Sequence, residues 1–177
     1  MKKILLALFI LHLLILTNCI AEKILYVASG SSLIKYDDFN ASTKTTIATG
    51  LGTLRGVSID SQNDIYVANT GGTVYKFSGS SYTQSTFATG LGFTHGIGID
   101  ANDNLYASDY NGSVYKVTPS GEKSTFATSV SGAHGVAFDS DGYIYISAYN
   151  IGEVRKYNTS GSYTVFGAVS SNGSLPP

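Results

Sequence analysis

The sequence predicts an all-β chain of four-stranded antiparallel sheets stacked side by side, and three observations predict it. A phrase recurs three times: RGVSIDSQNDIYVANT from Arg55, HGIGIDANDNLYASDY from His95 and HGVAFDSDGYIYISAY from His134. Its glycines Gly56, Gly96 and Gly135 are spaced 40 and 39 residues apart, a period that marks stacked supersecondary units. Within each copy, short runs alternate large apolar residues with small or polar ones, and Gly, Asn, Ser and Asp separate the runs. Charged residues make up only 13% of the chain, as strands joined by tight turns require.

The first residues stand apart from this pattern. Met1-Lys2-Lys3 is a basic start, Ile4 to Leu16 is apolar except for His12, and Thr17 to Ala21 turns small and polar. That is the layout of an export signal, and the apolar run is short for a membrane span. Two processing routes fit. Cys19 and Ala21 are small residues at the −3 and −1 positions of a cut before Glu22. Alternatively, Leu16-Thr-Asn-Cys19 resembles a bacterial lipobox, with Asn18 departing from the usual small residue and Cys19 lipidated as a membrane anchor. The expectation is that residues 1–21 are a signal and that the product is periplasmic, a cell-surface lipoprotein, or secreted. Cys19 is the only cysteine, so no internal disulfide is available and packing must hold the fold.

Loss of residues 1–21 removes two of the eleven basic residues, leaving nine against twelve acids, a net charge of −3. No basic cluster or tail is present, which argues against a nucleic-acid partner.

The units follow in order. An incomplete first copy spans residues 24–49: Ile24-Leu-Tyr-Val27, Leu33-Ile-Lys-Tyr36 and Thr45-Thr-Ile47 match the second, third and fourth strands of the later copies. Complete copies span 54–89, 94–129 and 133–168. Their first strands are Val57-Ser-Ile59, Ile97-Gly-Ile99 and Val136-Ala-Phe138, each ended by an Asp: Asp60, Asp100, Asp139. Three residues later stand Asn63, Asp103 and Gly142, types that tolerate positive φ, so a tight Asx-type hairpin is predicted. Counting the incomplete first copy, the second strands carry Tyr26, Tyr66, Tyr106 and Tyr145, and the third carry Lys35, Lys76, Lys116 and Lys156. The aspartates are expected to cap turns, the tyrosines to pack between sheets, and the lysines to be solvated edge charges. Residues 169–177 are predicted to connect to a strand that the repeat would next require.

Sheets of this kind have two apolar faces and must stack around an axis, which predicts a β-propeller of about three and three-quarter blades. The pattern of Gly, an apolar-small-apolar-Asp strand, a turn, apolar-Tyr-apolar and then Val-x-Lys resembles the blade of NHL-type propellers. Their superfamily includes gluconolactonase-like and streptogramin-lyase-like propellers. The resemblance covers residues 24–167 and is specific for architecture rather than activity. With this blade number the chain is part of a longer propeller, closes as a small ring, or self-associates to complete one.

Arg55, His95 and His134 each precede the glycine of the innermost strand, and Asp109 closes a second strand at the same end of its blade. Loops at the mouth of a rigid scaffold are where binding groups sit. His95, His134 and Asp109 are therefore candidate ligands for a divalent metal ion, and Arg55 a candidate binding residue. Streptogramin-lyase-like propellers carry His-Gly at this point of the blade and use a metal-assisted site. The resemblance thus implies His95 and His134 as catalytic candidates, one of them as a general base. Against this, Arg55 occupies the same repeat position, and Ser29, Asn69 and Ala148 replace Asp109 in the other blades. No phosphate loop, zinc pattern or Gly-x-Ser-x-Gly is present. The leading expectation is an exported scaffold that binds a protein, peptide or glycan. The alternative is a metal-assisted lyase or lactonase.

Overall fold

The computed structural model describes residues 24–37 and 43–168. The signal, Cys19 and the connection 169–177 lie outside the described residues. Among the described residues, fifteen strands form four antiparallel sheets. Blade one holds β1 (Leu25–Ser29), β2 (Ser32–Tyr36) and β3 (Lys44–Ala48). Blade two holds β4 (Leu54–Ile59), β5 (Ile65–Asn69), β6 (Val74–Ser78) and β7 (Thr83–Ala88). Blade three holds β8 (Thr94–Ile99), β9 (Leu105–Asp109), β10 (Ser113–Val117) and β11 (Lys123–Ala127). Blade four holds β12 (Ala133–Phe138), β13 (Ile144–Ala148), a short 3-10 turn (Tyr149–Ile151), β14 (Glu153–Tyr157) and β15 (Tyr163–Ala168). Each sheet is a meander, and β8 packs between β4 and β12, so first strands line the inner side of the stack. This is a partial β-propeller.

Three apolar clusters lie between successive blades. Tyr66 and Phe87 of blade two pack on Ile97, Leu105 and Val117 of blade three. Tyr106 and Phe126 of blade three pack on Ile144, Ile146 and Tyr157 of blade four. Tyr26 of blade one packs with Ile65, Val67 and Phe77 of blade two. The same repeat positions thus meet at each junction. The small residues of the inner strands set the spacing: a Cβ at Gly98 would press on the Phe138 ring and on Val136.

The hairpins of the lower face carry the predicted turns, with Asn63 at φ 65°, Asp103 at φ 61° and Gly142 at φ 83°. Asp60 Oδ1 accepts from the backbone of Gln62 and Asp64, while its Oδ2 accepts from the Tyr66 phenol at 3.0 Å. Asp139 repeats the arrangement with Asp141, Tyr143 and, at 2.9 Å, the Tyr145 phenol. The lysines are not solvated edge charges. Each stands directly across the ladder from a tyrosine: Lys76 from Tyr66, Lys116 from Tyr106, Lys156 from Tyr145. Their ammonium groups lie over those rings at 5.1, 5.5 and 5.3 Å from the centroids. Lys76 also pairs with Asp64 at 2.8 Å, and Lys156 with Asp139 at 3.5 Å. In blades two, three and four the repeated Asp, Tyr and Lys therefore form one cross-strand unit. Burial first, then Asp100, pushes the Tyr106 phenol up to about 12.

Candidate functional site: an imidazole and aromatic cluster on the inner strands

The residue before each inner-strand glycine sits in a β-bulge. The ladders shift register between Leu54 and Gly56, between Thr94 and Gly96, and between Ala133 and Val136. A bulge adds one residue to one strand and turns its side chain out of the alternating pattern. Arg55, His95 and His134 are the residues so turned. In blade three the bulge is held by Ser108. Its hydroxyl accepts from the Gly96 backbone at 2.9 Å and lies against the carbonyls of both Gly96 and His134. Ser147 repeats the first of these bonds, accepting from Gly135 at 2.8 Å.

The bulges bring His95 and His134 together across the blade junction, ring centroids 4.5 Å apart and edge to face. Tyr110 stacks on His95 at 4.9 Å, and Phe93 meets the His95 ring edge-on at 4.8 Å. Tyr149 lies 5.9 Å from His134. The Tyr110 phenol donates to Asn150 Oδ1 at 2.9 Å, tying blade three to blade four beside the pair. Phe93, His134 and Tyr149 are exposed, whereas both ring nitrogens of His95 are covered and unpartnered. Burial, then the neighbouring His134 and Arg55, lowers the His95 pKa below its usual value of 6.5. His95 is thus held neutral at neutral pH.

Asp109 does not join the histidines. Its Oδ1 accepts from the Phe93 backbone at 2.9 Å and from the backbone and side chain of Asn111 at 3.0 Å each. Asn69 does equivalent work in blade two, accepting from the Thr73 backbone and donating to the Leu51 carbonyl. Both fasten the end of the second strand to the loop entering the first. Among the described residues, no group of three or more His, Cys, Asp or Glu is placed to hold a metal ion. The set of His95, His134 and Asp109 does not fit such an ion: the carboxylate is committed to a turn and the His95 nitrogens are sealed beneath aromatic rings.

Arg55 is exposed and close enough to act electrostatically on His95. The aromatic members Phe93, Tyr110 and Tyr149 were not anticipated from the sequence, although it carries a signal for two of them. The recurring phrase ends in Tyr110 and Tyr149 in the copies that begin with His, but in Thr70 in the copy that begins with Arg. In the two copies that begin with His, the first and last letters are neighbours in space.

No protein-family model matches this sequence, and no curated protein matches it significantly. Solved structures do match. A histidine-to-alanine, catalytically inactive form of virginiamycin B lyase from Staphylococcus aureus, solved with quinupristin, is 14% identical, with a TM-score of 0.66 over 86% of this chain and 58% of the lyase. An auxiliary nutrient-binding protein from Bacteroides thetaiotaomicron is 17% identical, with a TM-score of 0.65 over 88% of this chain and 38% of that protein. A gluconolactonase from Xanthomonas campestris is 20% identical, with a TM-score of 0.55 over 66% of this chain and 41% of that enzyme. The chain spans 56% and 51% of the length of two further lyase structures of this kind. Its fold is that of the streptogramin-lyase-like and gluconolactonase-like β-propellers, shared alike by enzymes and by a binding protein.

Proposed function

We propose that the chain is an exported propeller module that captures a glycan or peptide on the surface built by His134, Tyr149 and Phe93. The observation that carries this reading is the exposure of these three rings around the covered ring nitrogens of His95. Aromatic faces give contact area at low entropic cost, and an accessible imidazole adds a hydrogen bond. Arg55 supplies the cation of the site, and Asp109 is committed to its turn, which favours ligands bearing hydroxyl or acidic groups. Export rests on the pattern of residues 1–21, and a neighbour of the same fold described as an auxiliary nutrient-binding protein supports a capture role.

The test is an array of glycans and peptides probed with the exported chain and with His134→Ala and Tyr149→Ala. Capture of a discrete set, weakened about tenfold or more in both variants at unchanged thermal midpoint, supports the reading. Equal capture by the variants, or capture of nothing, overturns it.

A second reading is favoured by the neutral imidazole beside the accessible His134, because the matched lyase is inactive when a histidine is lost. Here His134 would act as a general base on a bound ring. Disappearance of quinupristin or gluconolactone on incubation, abolished in His134→Ala, would establish it; persistence of both would remove it.

A further inference from the structure

We propose that the captured ligand is an acidic glycan, and that Arg55 holds the carboxylate of one of its sugar rings at the mouth formed by the inner strands. The proposal rests on the capture reading above. It adds the charge of the ligand and the residue that recognises it.

The observation behind it is a segregation of charge along the inner strands. β4, β8 and β12 carry Arg55, His95 and His134 as their second residues, and Asp60, Asp100 and Asp139 follow their far ends. The hairpins at that far end add Asp64, Asp103 and Asp141. The near end holds acids too, but they are spent. Asp109 accepts from the Phe93 backbone and from Asn111, and Glu153 pairs with Arg155 at 3.1 Å. Each inner strand therefore runs from a side chain that can carry positive charge to one that carries negative charge. A concave site lined by one sign concentrates ions of the other.

The inner-strand glycines make the three near-end residues neighbours. A Cβ on Gly56 would lie 2.9 Å from Ile97 Cγ1, and one on Gly96 would overlap the His134 carbonyl oxygen. The strands thus touch at the glycines, and the residue before each glycine stands beside the next. The charged groups that act on His95 are His134 and Arg55, and both oppose its protonation. Arg55 is exposed at this mouth and carries its charge at every physiological pH.

This chemistry selects the ligand. One permanent cation beside an imidazole kept neutral matches a monoanion better than a phosphate dianion. A guanidinium fork meets a carboxylate through two parallel N–H···O bonds. Phe93, 40% exposed and 4.8 Å from the His95 ring, offers an apolar face for the C–H side of a sugar ring. An acidic peptide carries its carboxylate on a flexible stem and has no rigid ring at that distance to lay on Phe93, so the glycan is the better fit.

The test is calorimetric titration of the full chain with polygalacturonate and alginate, whose rings carry carboxylates, and with their esters, dextran sulfate and poly-glutamate. The proposal expects at least one uronate to bind about tenfold or more tightly than its ester, and more weakly as salt is raised. Arg55→Gln should weaken that binding about tenfold or more, and Arg55→Lys by less. Lys44→Gln makes the same change of net charge at an exposed position on β3 and should leave it unaltered. Equal binding of uronate and ester, tighter binding of dextran sulfate or poly-glutamate, or an Arg55→Gln that binds like the wild type overturns the proposal. If the glycan and peptide array yields a neutral ligand while no uronate binds, this proposal falls and the capture reading stands; if nothing binds in either experiment, both fall. The comparison of uronate with ester uses the wild type, so it decides even where a variant misfolds.

Discussion

The hydroxyl of Ser108 lies on the backbone carbonyl of His134, one blade away, while accepting the backbone N–H of Gly96 in its own blade. One serine thus locks two adjacent inner strands at the bulge that turns out His95 and His134. Gly96 is part of the lock, because a methyl group there would overlap the His134 carbonyl oxygen.

Ser108→Ala should lower stability by about 1–3 kcal/mol, since a backbone donor and acceptor lose their partner in a covered site. Gly96→Ala should destabilise by a similar or larger amount, because the clash is with backbone that must move rather than with a flexible side chain. Thermal melts of the two variants check this. Unchanged midpoints would mean that the junction is not held at this point.

The lower-face unit predicts an unequal pair. Asp60→Ala removes the acceptor for two backbone N–H groups and the Tyr66 phenol, and frees Lys76 of one carboxylate. It should cost about 1–3 kcal/mol. Tyr66→Phe keeps the ring that packs against Phe87 and loses a single hydrogen bond, so it should cost only about 0.5–1.5 kcal/mol. Urea titrations of both would show the order; a larger loss in Tyr66→Phe would contradict it.

Asp109→Asn separates a turn residue from a ligand. Asn69 already performs this role in blade two, so an amide at 109 should still accept from the Phe93 backbone. Stability should fall by less than about 1 kcal/mol, and capture by the His134 surface should persist. A large loss of capture at preserved stability would return Asp109 to the site.

The blades were legible because their signal is periodic. Alternation assigns residues to faces, and Asn63, Asp103 and Gly142 announce their turns by backbone tolerance alone. The site was less legible, for two physical reasons. A bulge breaks the alternation, so the period-two pattern gives no direction for Arg55, His95 and His134. An aspartate at a strand end serves a turn or a ligand with the same chemistry, and only its hydrogen bonds distinguish Asp109 the fastener from Asp109 the ligand. The lysines were misplaced because ladder partners are set by hairpin register. Once Tyr66 faces Lys76, the charge has a ring and a carboxylate rather than bulk water.

The covered imidazole predicts a pH dependence of definite sign. His95 has a folded-state pKa below its usual 6.5, from burial first and then from His134 and Arg55. Above about pH 6.5 the ring is neutral in folded and unfolded chains alike, and it adds no penalty. As pH falls below that value the unfolded chain takes up the proton first, so stability is lost progressively until the folded-state pKa is passed. His95→Phe keeps a ring between Tyr110 and Phe93 but carries no proton and no unpartnered nitrogen. The variant should match or exceed the wild type at pH 8, and its advantage should widen as the pH is lowered toward 5. Thermal midpoints of the two proteins across that range give the answer. Parallel curves would show that His95 titrates freely, and the sealed, neutral imidazole at the base of the site would have to be abandoned.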